Sequence, residues 1–350
     1  MSLTFRGIQE RVPSWLAPVL GYAISLGCLI WVLQGVDYGA LAKELRSLHW
    51  RWVILGVAAD IAVYFYQAWR WNLLLAPVAR PRMWRSIQAI YVGLFSNEVL
   101  PLRPGEIIRA YLQGRWSEVP FSVAFSSVLL ERTFDGSWLV LVFILITTDL
   151  AHTGIVMPRV LVDISKLLGV TVLVAALVLG LVMFWKQHAH SACPKTRWGA
   201  RLRVLIDDLH LMGKSGSFYL AAAASLPYLL IQAIPIYALF RAYGAPLAGL
   251  NLGAAMAVLV IWRVATAIPQ APGNIGASQA VLVLALTLFG VDKTTAAGFA
   301  LVAWGVVTLP LLAGGFLALA LTGSKLHELH ARAKAHAAAP VLATESPGSR

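Results

Sequence analysis

A chain with several uninterrupted apolar runs of about twenty residues has few ways to fold, because each run is long enough to cross a bilayer as a helix. Residues 167–185 read LLGVTVLVAALVLGLVMFW, and comparable runs follow one another with short polar breaks. Of all residues, 59% are hydrophobic and only 13% are charged, against about 25% charged in soluble domains. These features exclude a water-soluble fold and predict an integral membrane protein.

The apolar runs also predict the fold class. Transmembrane barrels need short segments that alternate apolar and polar residues, whereas these runs are continuously apolar. We therefore predict an all-α, polytopic helical bundle with one transmembrane domain over residues 1–325, a basic cytoplasmic loop at 186–216 and a disordered cytoplasmic tail at 326–350. The predicted spans lie near residues 14–34, 52–76, 120–148, 167–185, 217–240 and 296–322.

Two further apolar regions, at about 86–116 and 251–289, are interrupted by proline and glycine. The interruptions read PLRPGE at 101–106 and PQAPGN at 269–274, so both contain P-x-x-P-G. Proline breaks a helix, and a backbone turn at membrane depth must face protein or water, so we predict broken helices or re-entrant hairpins. Matched breaks in two halves indicate an inverted repeat that builds a midplane site, although so short a pattern also arises by coincidence.

Basic residues indicate how the chain is oriented in a bacterial inner membrane. With both interrupted regions re-entrant and a cytoplasmic N-terminus, 18 lysine and arginine residues fall on the cytoplasmic side and 7 on the outer side. The two interrupted regions then enter from opposite leaflets, and their tips could meet near the centre. Both termini are expected in the cytoplasm. The net charge of +12 is explained by orientation and by anionic lipids, so we expect no nucleic-acid partner.

Ionisable residues at membrane depth cost roughly 2.5 to 3.5 kcal/mol each at a helix centre, so each needs a physical reason. Glu131, Arg132 and Asp135 lie in one predicted span, and Glu131 and Asp135 share a face because they are four residues apart. We expect their counter-ions to come from the first interrupted region. The expected counter-ions are Arg103 and Arg109, with Glu98 and Glu106 nearby in sequence.

Two interpretations of this charged group remain open. In the structural one, ion pairs join the first interrupted region to the following helix. In the binding one, the planar guanidinium of Arg103, Arg109 or Arg132 donates to a phosphate, while the carboxylates orient it or receive a cationic group. Both can hold at once.

Other candidates lie beside the interruptions. The amide of Asn97 can satisfy carbonyls freed by the break or contact a headgroup, and we favour the structural role. Gly273 and Asn274 precede a helix expected to begin near Ala277, which predicts either a plain turn or an anion site at the helix N-terminus. Arg263 is a second candidate for a headgroup contact, because a charge in that segment must be paired or face water.

Some polar residues carry weaker predictions. Arg70, between Trp69 and Trp71, is expected to anchor its helix at the membrane interface. Asp60 has no assigned role. The histidines and the cysteine within residues 188–193 lack a further ligand, so we expect no metal. The sequence contains no nucleotide-binding loop or nucleophile elbow, which predicts no cofactor and no enzyme activity.

The motifs resemble a known family. The string NEVLPLRPGE at 97–106, followed by Arg109 and by E-R-x-x-D at 131–135, is similar to the membrane region of lysylphosphatidylglycerol synthases and related flippase-like proteins. The segment PGNIG at 272–276 with Gln279 resembles that family's P-G-G-[IV]-G-x-x-E. Asn274 replaces the usual glycine and Gln279 the usual glutamate, which puts any role of that carboxylate in doubt.

The resemblance implies a function. In full-length synthases a cytosolic domain transfers lysine from aminoacyl-tRNA to a lipid, and the membrane region is implicated in flipping the product. This chain ends about thirty residues after its last predicted span, so we expect a stand-alone member without the transfer domain. Some stand-alone relatives are associated with hopanoid or glycolipid pathways, so the resemblance does not identify the substrate.

Three functions follow in order of preference. The first is binding or translocation of a lipid with an anionic headgroup, such as a phospholipid, glycolipid or hopanoid-type lipid. The second is a non-catalytic assembly or regulatory subunit whose partner is a lipid-modifying enzyme. The third is a membrane enzyme that uses Glu131 or Asp135 as a base on a headgroup. The sequence does not determine the oligomeric state.

Overall fold

The computed structural model describes residues 16–100, 103–152, 159–184, 197–266 and 274–338. Within these ranges the regular structure is helical. In chain order the helices are α1 (Leu16–Leu33), α2 (Tyr38–Ser47), α3 (Trp50–Leu75), α4 (Met83–Val99), α5 (Gly105–Ser117), α6 (Phe121–His152), α7 (Arg159–Phe184), α8 (Arg197–Gly213), α9 (Gly216–Ile231), α10 (Ala233–Tyr243), α11 (Leu252–Thr266), α12 (Ala277–Thr287), α13 (Lys293–Ala320) and α14 (Leu326–Ala338).

The helices agree with an all-α polytopic membrane protein, as predicted. The six predicted spans fall in α1, α3, α6, α7, the α9–α10 pair and α13. Within the described ranges, α3, the unit Gly216–Tyr243 and α13 are each long and apolar enough to cross a membrane unaided. The pair Ala23–Leu33 and Tyr38–Ser47 passes the same criterion as a single span bent by 88°.

Short polar side chains set several helix starts. Asp37 Oδ1 accepts hydrogen bonds from the backbone amides of Gly39 and Ala40 at the start of α2. Asp292 does the same for Thr295 at the start of α13, with an oxygen to nitrogen distance of 3.0 Å. These caps satisfy amides that have no partner inside the helix, so α2 and α13 begin where the sequence supplies an aspartate.

The first interrupted region is a helical hairpin made of α4 and α5, which pack along each other. Their backbones approach closely: a Cβ added to Gly105 would lie 1.9 Å from the carbonyl oxygen of Gly93. Only glycine allows this approach. Asn97 Oδ1 accepts a hydrogen bond of 2.7 Å from the Gly105 amide, so Asn97 satisfies a backbone amide after the break and not the carbonyls that we expected it to satisfy.

The second interrupted region is also a hairpin, formed by α11 and α12. Helix α12 begins at Ala277, as expected. The Gly276 amide donates to Gln279 Oε1 over 2.6 Å, and the hydroxyl of Ser278 also donates to this atom at 3.2 Å. Glutamine thus caps this helix as a glutamate would, which is an ordinary equivalence at the third helical position.

The two hairpins approach from opposite ends of α13. Gln88 on α4 donates to the carbonyl oxygen of Ala318, near the C-terminal end of α13, over 3.0 Å. Helix α12 packs against α13 and is joined to its N-terminal end by residues 288–292. Both hairpin tips therefore point toward the middle of this 28-residue helix. Their depth in a bilayer, and an inverted repeat, stay predictions.

Two smaller elements refine the sequence analysis. The loop at 186–216 contains the amphipathic helix α8, which buries Ile206, Leu209 and Met212 and packs against α6 and α7. The prediction of a disordered tail from residue 326 is wrong for α14, which packs against α5 and buries Leu329 and Ala333. These two apolar residues are four apart and share one helix face, which the alanine-rich composition of the tail obscured.

Candidate functional site

Four charged residues form a group buried among α3, α5 and α6, which we call the inner charge cluster: Arg70, Arg109, Glu131 and Asp135. Arg70 Nη2 lies 2.9 Å from Glu131 Oε1 and 3.1 Å from Asp135 Oδ2, and its Nη1 donates to both Asp135 and Ser225. Arg109 Nη2 lies 2.9 Å from Glu131 Oε2. Glu131 therefore lies between two guanidinium groups.

The inner charge cluster is largely buried, and its most exposed member is Asp135, whose side chain is 19% exposed. Arg70 is 1% exposed, Arg109 2% and Glu131 0%. The guanidinium of Arg70 stacks on the ring of Tyr228 at 4.3 Å, and that of Arg109 on Trp71 at 4.9 Å. Two positive and two negative charges balance inside the cluster, which offsets much of the cost of burying them. This arrangement joins the first hairpin to α3 and α6.

The position of Arg70 corrects one prediction. We expected it to anchor α3 at the membrane interface because tryptophans flank it, but Arg70 points into the protein and completes the cluster. The flanking residues behave differently from each other, since Trp69 is exposed and Trp71 is fully buried. Adjacent residues on a helix point about 100° apart, so the tryptophan pair carried no information about the direction of Arg70.

Three more arginines form a second group, the outer arginine cluster: Arg103, Arg132 and Arg263. Arg103, at the tip of the first hairpin, donates from Nη2 to Asn274 Oδ1 at the tip of the second hairpin, just before α12, over 2.8 Å. Arg132 pairs with Glu106, and Arg263 donates to Gln232. Arg103 is close enough to Arg132 and Arg263 for their positive charges to act on it.

Exposure separates the outer arginine cluster from the inner one. The side chain of Arg132 is 43% exposed, and Arg263 is exposed as well. Glu106 connects the two clusters, because its Oε2 accepts from Arg109 Nε at 2.7 Å while its Oε1 accepts from Arg132. Glu98 also faces Arg103. Three arginines and two carboxylates leave an excess of positive charge where the hairpins meet.

The predicted counter-ions of the acids on α6 can be compared with the observed ion pairs. The expected pairing of the acids on α6 with Arg109 is confirmed for Glu131. The expected pairing with Arg103 is wrong, since the hydrogen bond given above directs Arg103 across the hairpin gap to Asn274. Gly273, the other candidate there, lies outside the described residues. The sequence analysis did not identify Gln232 as the partner of Arg263. The signal that could have found it is its position between two helical segments, three residues before Pro235.

Backbone conformation adds a feature at the hairpin tips. Arg103 has φ of 52° and Asn274 has φ of 50°, so both residues that form the contact between tips are left-handed. Asparagine tolerates this conformation, whereas a long side chain such as arginine is strained there. Strained residues of this kind concentrate at functional sites.

The described residues hold no group of three or more histidine, cysteine or acidic side chains suited to a metal. The side chains that the hairpin tips bring together are guanidinium groups beside carboxylates. Guanidinium forks donate two parallel hydrogen bonds to a phosphate or carboxylate, which suits the outer arginine cluster to an anion.

The fold and the site together define a class: polytopic helical membrane proteins with two opposed hairpins and arginines where the hairpins meet. Comparison with known families agrees: the model of the lysylphosphatidylglycerol synthase TM region matches residues 19–315, and the chain belongs to this family. It is similar to UPF0104 membrane protein MJ1595 of Methanocaldococcus jannaschii, with 27% identity over 115 residues. That alignment covers 32% of this chain and only about a third, 34%, of the relative. No solved structure matches.

Proposed function

We propose that this protein binds a lipid with an anionic headgroup at the outer arginine cluster and moves it between leaflets. The observation that carries the proposal is the contact between Arg103 and Asn274, which joins the tips of two hairpins that reach α13 from opposite ends. A site at this junction can be reached from one side or the other as either hairpin shifts, which is the requirement of alternating access.

The charge distribution supports an anionic ligand. Arg132 and Arg263 are exposed, and together with Arg103 they outnumber the carboxylates Glu98 and Glu106. A phosphate-bearing headgroup would supply the missing negative charge and accept bidentate hydrogen bonds. The acyl chains would stay in the bilayer, which the protein already faces with many exposed apolar side chains.

The test is lipid movement in reconstituted vesicles. The full chain is placed in phosphatidylglycerol-containing vesicles that carry fluorescent phosphatidylglycerol, and a membrane-impermeant quencher reports the label in the outer leaflet. We expect Arg132→Gln to slow movement by about tenfold or more, because a charge-assisted hydrogen bond contributes about 1.5 to 3 kcal/mol. The matched control is Arg46→Gln, which removes an exposed arginine on α2, away from the hairpins.

Two results would refute the proposal: no lipid movement by the unaltered protein, or equal movement with Arg132→Gln and Arg46→Gln. The first result would favour our second candidate function. In it, the chain is a non-catalytic assembly or regulatory subunit that works with a separate lipid-modifying enzyme. The observation behind that candidate is the inner charge cluster, whose charges are satisfied internally. It predicts that such an enzyme co-purifies with the chain.

We also propose a bacterial inner membrane location with both termini in the cytoplasm. The support is the excess of lysine and arginine on one side of the predicted topology. Reporter domains fused to each end, active only on one side of the membrane, test this orientation. A reporter active on the outer side at either end would contradict it.

A further inference from the structure

Asp60 is a buried carboxylate that neither cluster uses. It lies near the middle of α3, is 8% exposed, and its Oδ2 atom is buried without a hydrogen-bond partner. The ion pairs of the described residues do not include it, in contrast to the inner charge cluster. A charge in this position is costly unless the group binds a proton or finds a partner.

The groups around Asp60 have fixed charge near neutral pH. Tyr64, one turn along α3, and Tyr91 on α4 both lie within electrostatic range of the carboxylate. Arg263 on α11 is the positive charge that acts on it. Tyr228 on α9 lies beyond Tyr64. Tyrosines stay neutral below about pH 10 and arginine stays charged, so Asp60 is the member of this group whose charge can change.

The same neighbourhood reaches the outer arginine cluster. Arg263 belongs to that cluster and donates to Gln232, in the break between α9 and α10. Helix α3 packs closely at this break: a Cβ added to Gly56, one turn before Asp60, would lie 3.5 Å from the carbonyl oxygen of Pro235. Asp60 and a bound headgroup would therefore both act on the charge of Arg263.

We propose that Asp60 is a proton-binding site, and that its protonation strengthens the binding of an anionic headgroup at the outer arginine cluster. The inference rests on the function proposed above. When ionised, Asp60 offsets part of the positive charge of Arg263. When one proton adds to the carboxylate, the neutral acid no longer competes with the headgroup for that charge. By reciprocity, headgroup binding favours proton uptake at Asp60.

The experiment measures the affinity of the purified full chain, in detergent, for short-chain fluorescent phosphatidylglycerol between about pH 5 and about pH 8, the range in which buried carboxyls titrate. The phosphate of this lipid keeps its single negative charge over the whole range. We expect binding about tenfold tighter at the acidic end, within the usual range of coupling between two sites. Asp60→Asn, which mimics the neutral acid, should bind tightly at both ends.

Other carboxyls near the outer arginine cluster require a control. Glu106 and Asp135 are held in ion pairs, whereas Glu98 faces Arg103 and has one buried oxygen without a partner. Glu98 is therefore the rival proton-binding site, and if Asp60 is responsible, Glu98→Gln keeps the pH dependence of the unaltered protein. Loss of that dependence in Glu98→Gln and its retention in Asp60→Asn would overturn the proposal.

A second measurement needs no variant, which matters if Asp60→Asn does not fold. Calorimetric titration of the unaltered protein in two buffers of different ionisation enthalpy reports the protons taken up when lipid binds. We expect uptake of up to one proton for each lipid. Tight binding without proton uptake or pH dependence would refute this inference and leave the proposed function standing, whereas no binding at any pH would refute both.

Discussion

The inner charge cluster and the outer arginine cluster contain the same residue types but differ in burial and in pairing. In the inner cluster, Glu131 is shared by two buried arginines whose guanidinium planes also stack on aromatic rings. In the outer cluster, Arg132 is 43% exposed, its closest partner Glu106 also pairs with Arg109, and Asp135 Oδ2 is 4.0 Å from its Nη1. An arginine within the helical bundle is therefore a candidate for ligand binding only where burial and pairing leave some of its donors and charge available.

The largest expected effect separates the two clusters by stability. Glu131→Ala leaves Arg70 and Arg109 buried without their shared counter-ion, and breaking a buried pair in this way costs about 3 to 5 kcal/mol. Thermal unfolding of the purified protein in detergent measures it. Asp149→Ala is the matched control, because Asp149 is an exposed acid on the same helix. Equal stability of the two variants would show that the inner cluster does not hold the fold together.

The next effect tests whether the outer cluster depends on the packing of the first hairpin. Gly105→Ala forces its Cβ against the Gly93 carbonyl oxygen, at 1.9 Å before any relaxation. Overpacking of this kind costs about 1 to 3 kcal/mol, and we expect lipid movement to fall as well because Arg103 is displaced. Gly180→Ala, on α7 with no neighbour within 4 Å, should leave both measurements unchanged. A fully stable Gly105→Ala protein would contradict the hairpin contact.

A smaller effect is expected at the second hairpin. Gln279→Ala removes the acceptor of the Gly276 amide, and loss of a helix cap costs about 1 kcal/mol. Hydrogen exchange of the amides at the start of α12 should accelerate. Unaltered exchange there would show that Gln279 does not cap this helix.

The smallest stability effect should come from the outer cluster. Arg103→Gly removes a guanidinium and also relieves a left-handed residue, so the folded state should be unchanged or stabilised by up to about 1 kcal/mol. Lipid movement should nevertheless fall by about tenfold, as for Arg132→Gln. Stability and lipid movement measured on Arg103→Gly should therefore separate, in contrast to Glu131→Ala, for which a loss of stability is expected. Destabilisation by more than about 2 kcal/mol would place Arg103 among the structural arginines.

The sequence predicted the parts of this protein that depend on local pattern. Apolar runs predicted the long helices, and proline with glycine predicted where the two hairpins turn. The start of α12 at Ala277 followed from rules for helix ends. These features need only the chain within a few turns of the residue concerned.

The partners of the charged residues could not be predicted in the same way. Arg70 donates hydrogen bonds to Glu131 and Asp135, which are more than sixty positions later in the chain. Arg263 donates to Gln232, which lies in the break between α9 and α10. Such pairs depend on how each helix is rotated about its axis when the bundle packs. Charge alone does not encode that rotation, so Arg103 was assigned to the acids of α6 and Arg70 to the membrane surface.

The backbone contact between Gly93 and Gly105 has a mechanical consequence. Two helices packed this tightly do not slide along each other, so α4 and α5 move as one rigid unit. Arg103 lies at the tip of this unit. Arg85 and Arg115, both exposed, lie at its opposite end. A displacement of the tip is therefore transmitted to the surface of the protein without any helix having to unwind.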